Sequence, residues 1–141
     1  MILVAIESPY AGRLGPDFAK DEARNVLYLK ACIQDCLARG ESPYASHEMF
    51  TRALADSDPV QRKLGIEAGM YWAAKAESRI LYLDRGLSPG MILGLKEAIR
   101  LKQTVVVRGL AAWRGPLRVQ ALRALNGYLD KVECSVNWAG F

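Results

Sequence analysis

The chain has 141 residues, of which 51% are hydrophobic and 24% charged, and its formal net charge is +4. This composition is that of a globular domain and excludes the disordered, collagen-like and low-complexity classes. No apolar run approaches the roughly 20 residues that span a bilayer. Three cysteines and a start without a signal-peptide pattern favour a reducing, cytoplasmic setting.

The first third of the chain predicts two strands and the helix between them. Residues 1–6 are apolar and β-rich, which is typical of a buried strand in a parallel sheet. After a loop rich in proline and glycine, apolar side chains spaced by three or four residues predict a helix over residues 17–39, before Gly40. Residues 42–46 predict a second strand, for which Pro43 favours a sheet edge or a strand start.

The central part of the chain continues this alternation. Residues 48–54 predict a short helix or a turn, and an Asp-Pro pair begins a longer helix over residues 58–75. A further apolar strand is predicted for residues 79–83, a Ser-Pro pair begins a helix over residues 88–102, and residues 104–107 predict the next strand. The pattern predicts an α/β fold, a Rossmann-like three-layer sandwich with a central, mainly parallel sheet.

The C-terminal tail gives weaker signals. A Gly-Pro pair predicts a helix over residues 115–125, an Asn-Gly pair at residues 126–127 predicts a turn or helix end, and residues 128–136 predict a strand. Residues 108–141 contain five basic and two acidic side chains. This small surplus favours a solvated helix surface over a nucleic-acid interface.

In an open parallel sheet, ligands bind beyond the carboxyl ends of the strands, where the chain order reverses. The loops after the first three predicted strands are rich in hydroxyl, carboxylate and glycine, which suits a polar small molecule. The candidate ligand-binding residues are Ser8, Pro9, Tyr10, Gly12, His47, Ser88, Gly90 and Met91. Dinucleotide, P-loop and serine-hydrolase motifs are missing from the sequence.

Two of these loops have a specific chemistry. Ser88 can cap the helix that follows, so that the N–H groups of Gly90 and Met91 offer an anion site; the alternative is a capped helix without a ligand. His47, the only histidine, can donate to a phosphate, act as a proton shuttle or make a structural hydrogen bond. One histidine and scattered cysteines do not form a zinc site, and we expect neither metal nor cofactor.

Glu67 is the first candidate for a reacting carboxylate. On its predicted helix it aligns with Val60, Leu64 and Tyr71, so we expect it to be buried in an apolar stripe, where desolvation raises the pKa of a carboxyl group. Such a group beside a cleft is a candidate nucleophile or general acid–base residue. The alternative is a structural hydrogen bond or an ion pair with a nearby arginine.

Four segments together resemble the nucleoside 2-deoxyribosyltransferase-like superfamily, in particular its small, often phage-encoded members. They are the IESPYAG turn at residues 6–12, residues 25–50 with the motif SPYASH, residues 58–83, and residues 84–107 with the turn SPGM. The likeness covers residues 1–108, which we expect to form one α/β domain. Residues 109–141 are then an extension that packs on this domain or lies at a subunit interface, since the resemblance implies a homo-oligomer.

The resemblance implies that the protein recognises a nucleoside or nucleotide and cleaves or exchanges its N-glycosidic bond. In the characterised relatives a carboxylate attacks C1′ of the sugar. The resemblance implies that Tyr10 lies beside the sugar or base as a catalytic candidate. It also implies that Ser88, Gly90 and Met91 meet a phosphate or the 5′ end of the sugar.

The sequence departs from these relatives at the expected nucleophile. The transferases have their reacting glutamate just after the Gly-Met pair, where this chain has Ile92 and Gly94. Either Glu67 or Asp84 has taken over the chemistry, or the protein binds nucleotides without cleaving them.

Overall fold

The computed structural model describes residues 1–13 and 15–140, which form an α/β fold around a five-stranded, all-parallel sheet. The predicted Rossmann-like three-layer sandwich is therefore confirmed. The strands are β1 (Ile2–Glu7), β2 (Glu41–Tyr44), β3 (Ser78–Tyr82), β4 (Thr104–Arg108) and β5 (Asn137–Ala139). The helices are α1 (Phe18–Ala38), α2 (Ser46–Ala53), α3 (Pro59–Ala73), α4 (Pro89–Arg100) and α5 (Pro116–Val132), with a short 3-10 helix at Ala111–Trp113.

Two helices begin at the caps that the sequence predicts. The Asp58 side chain accepts a hydrogen bond of 2.9 Å from the backbone N–H of Val60, at the start of α3. The Ser88 hydroxyl accepts one of 3.3 Å from the N–H of Met91, at the start of α4. In both helices a proline holds the first helical position, where it loses no hydrogen bond.

The strand order is β2-β1-β3-β4-β5, so the chain order reverses between β1 and β3. The edge position of β2 fits the proline in that strand, as predicted. After β1 the chain crosses to β2 on one side, and after β3 it crosses to β4 on the other side. This divergence opens a crevice at the carboxyl ends of β1 and β3. The topology therefore locates the expected ligand site before any side chain is considered.

Each face of the sheet has its own apolar core. On one face α1 packs against side chains of β1 and β3; this core contains Val4, Ile6, Tyr28, Leu29, Cys32, Cys36, Ala45, Ile80 and Tyr82. On the other face α4 and α5 pack against β3 and β4; this core contains Leu81, Leu83, Met91, Leu95, Ala98, Val105, Val107, Ala121, Leu125 and Leu129. None of the helices formed by the described residues is both long and apolar enough to cross a membrane.

The prediction for the tail is wrong beyond Leu125. Helix α5 continues through the Asn-Gly pair at residues 126–127 to Val132, and the last strand is β5, which pairs with β4 in parallel. Ala121, Leu125 and Leu129 form one buried stripe on α5, and their burial outweighs the cost of a glycine in a helix, about 1 kcal/mol. The tail therefore extends both the sheet and its core.

Candidate functional site

A cavity of about 670 Å³ lies at the carboxyl ends of β1, β2 and β3. The loops after these strands form its rim, and its walls are formed by α2, α3, α4 and the start of α5. All eight predicted ligand-binding residues line it: Ser8, Pro9, Tyr10, Gly12, His47, Ser88, Gly90 and Met91. The volume is within the range of sites for cofactors and drug-sized ligands, about 300–1,000 Å³.

Glu7, the last residue of β1, places a carboxylate in the cavity wall. Its Oε1 accepts a hydrogen bond of 2.8 Å from Nη1 of Arg79, whose side chain is 1% exposed. Arg79 is itself fixed, because it also donates to the carbonyl oxygen of Gly94 and to the side chain of Gln103. Burial raises the pKa of Glu7 to about 7, although Arg79 favours the charged form. The Glu7 carboxyl group can therefore gain or lose a proton near neutral pH.

Gly94, on α4, makes room for this carboxylate. A Cβ atom added to Gly94 would lie 2.7 Å from Oε2 of Glu7 and closer still to Oε1. Real Cβ atoms essentially never approach another heavy atom so closely. The Glu7 carboxylate thus occupies the space in which a side chain at position 94 would lie.

Ser8 and His47 form a hydrogen-bonded pair beside Glu7. The Ser8 hydroxyl oxygen lies 2.8 Å from Nε2 of His47, and Ser8 is buried. Burial lowers the pKa of His47 to about 4, so the imidazole is neutral at neutral pH. A neutral imidazole has one donor and one acceptor nitrogen, and a hydroxyl can complement either. This pair therefore presents hydrogen-bonding groups without a net charge.

The loop that bears Tyr10 is held down by α1. The Asn25 side chain donates to the backbone carbonyls of Tyr10 (3.3 Å) and Ala11 (3.2 Å). Tyr10 is half-buried and lines the cavity. These two bonds hold the backbone of the loop at the rim of the cavity.

Ser88, Gly90 and Met91 contribute mainly backbone to the cavity. In the first turn of α4, Pro89 has no N–H and the N–H of Met91 donates to the capping Ser88 hydroxyl, so the N–H of Gly90 is the one left without a partner in the helix. The Met91 side chain is buried in the core, and its sulfur accepts a hydrogen bond of 3.5 Å from the N–H of Ser88. The positive end of the helix therefore lies at the cavity rim.

A protein-family model for a domain of unknown function, DUF7768, matches residues 2–108, which is about three quarters of the chain. The chain belongs to this family. The DUF7768 domain contains β1 to β4 and the three loops that form the cavity rim, whereas α5 and β5 follow it. No curated protein matches the sequence.

The prediction that Glu67 is buried is wrong. In the DUF7768 domain the small residues of α3 pack against α2, where a Cβ on Gly69 would lie 2.6 Å from Cβ of Ser46. The stripe that contains Glu67 therefore faces outward. The Glu67 side chain is 57% exposed and does not line the cavity, and its carboxylate pairs with Lys63 at 3.9 Å. Helical periodicity showed which residues share a face, but not which face is buried.

Asp84 is buried, but structural hydrogen bonds and an ion pair occupy its carboxylate. It accepts hydrogen bonds of 2.7 Å from the Tyr28 hydroxyl and from the N–H of Leu110, and it forms an ion pair with Arg118. Asp84 does not line the cavity, so the structure separates it from the candidate site. Arg118 belongs to the C-terminal tail and is buried against Asp84, so this ion pair fixes the tail to the rest of the domain.

The described residues contain no group of three or more His, Cys, Asp or Glu side chains that could hold a metal ion. Cys32 and Cys36 are both fully buried and belong to the core that α1 forms with the sheet.

The sequence did not single out Glu7, which directly follows the strand predicted for residues 1–6. The available signal was Gly94. A glycine inside a helix costs about 1 kcal/mol relative to alanine, which suggests that another group lies against it. The sequence alone could not tell which group that is, because Glu7 is 87 positions away along the chain.

Proposed function

We propose that the protein binds a nucleoside or nucleotide in this cavity and cleaves or transfers its N-glycosidic bond, with Glu7 as the reacting carboxylate. The observation that carries the proposal is the Glu7 carboxyl group, which lies in the cavity wall with a pKa raised to about 7. The topological position of the cavity and its polar rim support a ligand with a sugar and a charged or polar end.

Glu7 has one oxygen anchored and one available. Oε1 accepts from Arg79, whereas Oε2 has no hydrogen-bond partner among the described residues and is not a buried atom. In its ionised form, Oε2 would attack C1′ of the sugar. The bond from C1′ to the base nitrogen breaks, and its electron pair leaves with the base, which takes a proton from water. Water or a second base then releases the sugar from Glu7.

The position of Glu7 offers a replacement for the glutamate that this sequence lacks after the Gly-Met pair. The resemblance to deoxyribosyltransferases places the reacting glutamate after the Gly-Met pair, where this chain has Ile92 and Gly94. Glu7 extends its carboxylate from β1 into the space beside Gly94. We therefore assign the role of that helix glutamate to a residue of the neighbouring strand.

A second candidate function is nucleotide binding without cleavage. It is favoured by the ion pair of Glu7 with Arg79, which can be wholly structural, and by the missing helix glutamate. The two functions are separated by incubation with deoxynucleotides, ribonucleotides, nucleosides and NAD. Chromatography detects base release, and thermal shift detects binding. Ligand stabilisation without release would select the second function.

We also propose that the protein acts as a homo-oligomer in the cytoplasm. Helix α3 exposes Val60 (70%), Leu64 (55%) and Tyr71 (81%) on one face, which we call the α3 face. Lys63 and Glu67 lie on it one turn apart with opposite charges, so a second copy packed antiparallel can pair each with its opposite. We take a second copy as the occupant. The free cysteines support a reducing compartment.

A further inference from the structure

The ion pair between Arg79 and Glu7 has a single point of contact. Nη1 of Arg79 donates to Oε1 of Glu7 at 2.8 Å, and among the described residues no second hydrogen bond joins the two side chains. Guanidinium and carboxylate groups frequently pair through two parallel hydrogen bonds, which occupy both carboxylate oxygens. Since Oε2 of Glu7 is left open here, another group must keep the pair from becoming bidentate.

Gln103 occupies the second nitrogen of the guanidinium. This residue lies between α4 and β4, where its backbone N–H donates to the carbonyl oxygen of Ala98 at 2.9 Å. Its side-chain Oε1 accepts a hydrogen bond of 2.9 Å from Nη2 of Arg79. Nη2 is therefore held at Gln103, while Nη1 contacts Glu7 and the carbonyl oxygen of Gly94.

The Gln103 amide is itself fixed through its nitrogen. Nε2 donates to the carbonyl oxygens of Ala73 and Ala76, both at 2.9 Å. Ala73 ends α3, and Ala76 lies in the connection to β3. The amide cannot be turned over, because its N–H groups would then meet those of Arg79 and its oxygen would meet two carbonyl oxygens. Its acceptor is therefore directed at Arg79.

The titration of Glu7 reports how Arg79 contacts it. Burial raises the pKa of Glu7, and Arg79 is the charged group among the described residues that acts against this rise. Arg79 also attracts the more distant carboxylate of Glu97 on α4, and His47 on α2 is neutral. The other charged residues described in the cavity wall pair among themselves: Arg62 with Asp56, and Asp21 with Arg13 and Arg85.

We propose that Gln103 is a positioning residue, which holds Nη2 of Arg79 away from Glu7 and so keeps Oε2 of Glu7 available to the ligand. Without this acceptor the buried Nη2 needs a new partner, and a turn of the guanidinium brings it onto Oε2, since Nη1 already contacts Oε1. The bidentate pair stabilises the charged carboxylate but occupies the oxygen that reacts. The inference rests on the proposed function only for the reacting role of Glu7.

A matched pair of variants separates this role from a merely structural one. Gln103→Leu and Gln103→Glu both lose the donations to Ala73 and Ala76, but only Gln103→Glu keeps an oxygen for Nη2 of Arg79. The pKa of Glu7 is measured by ¹³C NMR of its carboxyl carbon, whose signal is identified by its absence in Glu7→Gln. In Gln103→Leu this pKa is expected to fall from about 7 to about 6 or lower, because a bidentate contact stabilises the charge. In Gln103→Glu it is expected to stay at about 7 or to rise, since a second carboxyl group competes for Arg79.

Base release gives a second readout, taken for each variant at a pH above the pKa of its Glu7. Gln103→Leu is expected to lower kcat by about tenfold or more, because Oε2 of Glu7 must first leave Arg79. Its KM is expected to change by less than about threefold, since Gln103 acts on the reacting group through Arg79. Gln103→Glu is the conservative rescue and is expected to recover most of kcat.

A pKa of Glu7 that stays or rises in Gln103→Leu, or that changes equally in the two variants, would overturn the inference and leave the proposed function standing. A fall in Gln103→Leu alone, without base release by the wild-type protein, would support the positioning role and overturn the proposed function. If neither variant folds, ¹⁵N NMR of the arginine side chains in the wild-type protein decides. Titration of Glu7 is expected to shift the Nη1 signal of Arg79 and to leave Nη2 nearly unchanged, whereas equal shifts would overturn the inference.

Discussion

The Glu7 carboxylate fills the space beside Gly94, because its oxygens lie too close to the Cβ position of residue 94 for a side chain to fit there. One residue ends β1 and the other lies inside α4, so their contact joins the strand to the helix across the cavity wall. The position of the carboxylate therefore depends on the absence of a side chain on the opposite element.

Gly94→Ala tests this relationship. The added methyl group is expected to push the Glu7 carboxylate away from Arg79 and to cost about 1–3 kcal/mol of unfolding free energy, as overpacking does. Denaturant unfolding measures the cost, and base release is expected to be lost. Gly127→Ala is the control: no atom lies within 4 Å of its Cβ position, so it should stabilise α5 slightly. Equal behaviour of the two variants would contradict this placement of the Glu7 carboxylate.

Glu7 should also make stability depend on pH. Its pKa is raised from 4.5 to about 7 in the folded protein, so the folded state binds the proton more tightly than the unfolded chain does. Its contribution to the unfolding free energy is therefore present below pH 4.5 and is lost as the pH rises to about 7. The loss is roughly 3 kcal/mol, at about 1.4 kcal/mol for each pKa unit.

His47 acts in the opposite direction, because its lowered pKa reduces stability as the pH falls from 6.5 towards 4. The Glu7 contribution is therefore measured as the difference between the wild-type protein and Glu7→Gln across pH 4 to 8. The difference is expected to change steadily between pH 4.5 and 7. Parallel curves would show that Glu7 titrates at the same pH in the folded and unfolded states.

The fold was predictable because its signals are local. Pro59 and Pro89 follow good capping residues, and apolar runs separate the helices, so element type follows from neighbouring residues. The location of the cavity also followed, because parallel strands end at one edge. Glu67 was misplaced because periodicity does not say which helix face meets the rest of the protein. Glu7 was missed because its partners Arg79 and Gly94 come close only in the folded chain.

Ser8→Ala should expose the energetic role of the Ser8–His47 pair. The change leaves a polar nitrogen of a half-buried, neutral imidazole without its partner, which costs about 1 kcal/mol. Thermal or denaturant unfolding measures this loss against Ser57→Ala, a control at an exposed serine. A cost no greater than that of the control would show that the pair contributes nothing.

Proton NMR tests the charge of His47 directly, because the chain has a single histidine. Its ring signals are expected to stay constant from pH 8 down to about 5 and to titrate with a midpoint near 4, since burial disfavours the charged ring. A midpoint near 6.5 would show that the imidazole is solvated, and would restore the proton-shuttle role.

The α3 face predicts self-association. Leu64→Glu places a charge on this face and is expected to convert the wild-type oligomer into monomers, as sedimentation velocity would show. Leu27→Glu is the matched control, because Leu27 on α1 is 54% exposed and Leu64 is 55% exposed. The control is expected to behave like the wild-type protein. A wild-type monomer at every concentration would exclude a second copy as the occupant.

Base release from nucleotides tests the role of Glu7 most directly. The wild-type protein is expected to release the base from at least one compound of the panel. Glu7→Gln should reduce that rate by about 100-fold or more while ligand binding persists, since the residue acts on the transition state. Glu67→Gln, the same change at an exposed position, should keep the wild-type rate. No release from any compound, or an unchanged rate in Glu7→Gln, would contradict the assignment of Glu7 as the reacting carboxylate.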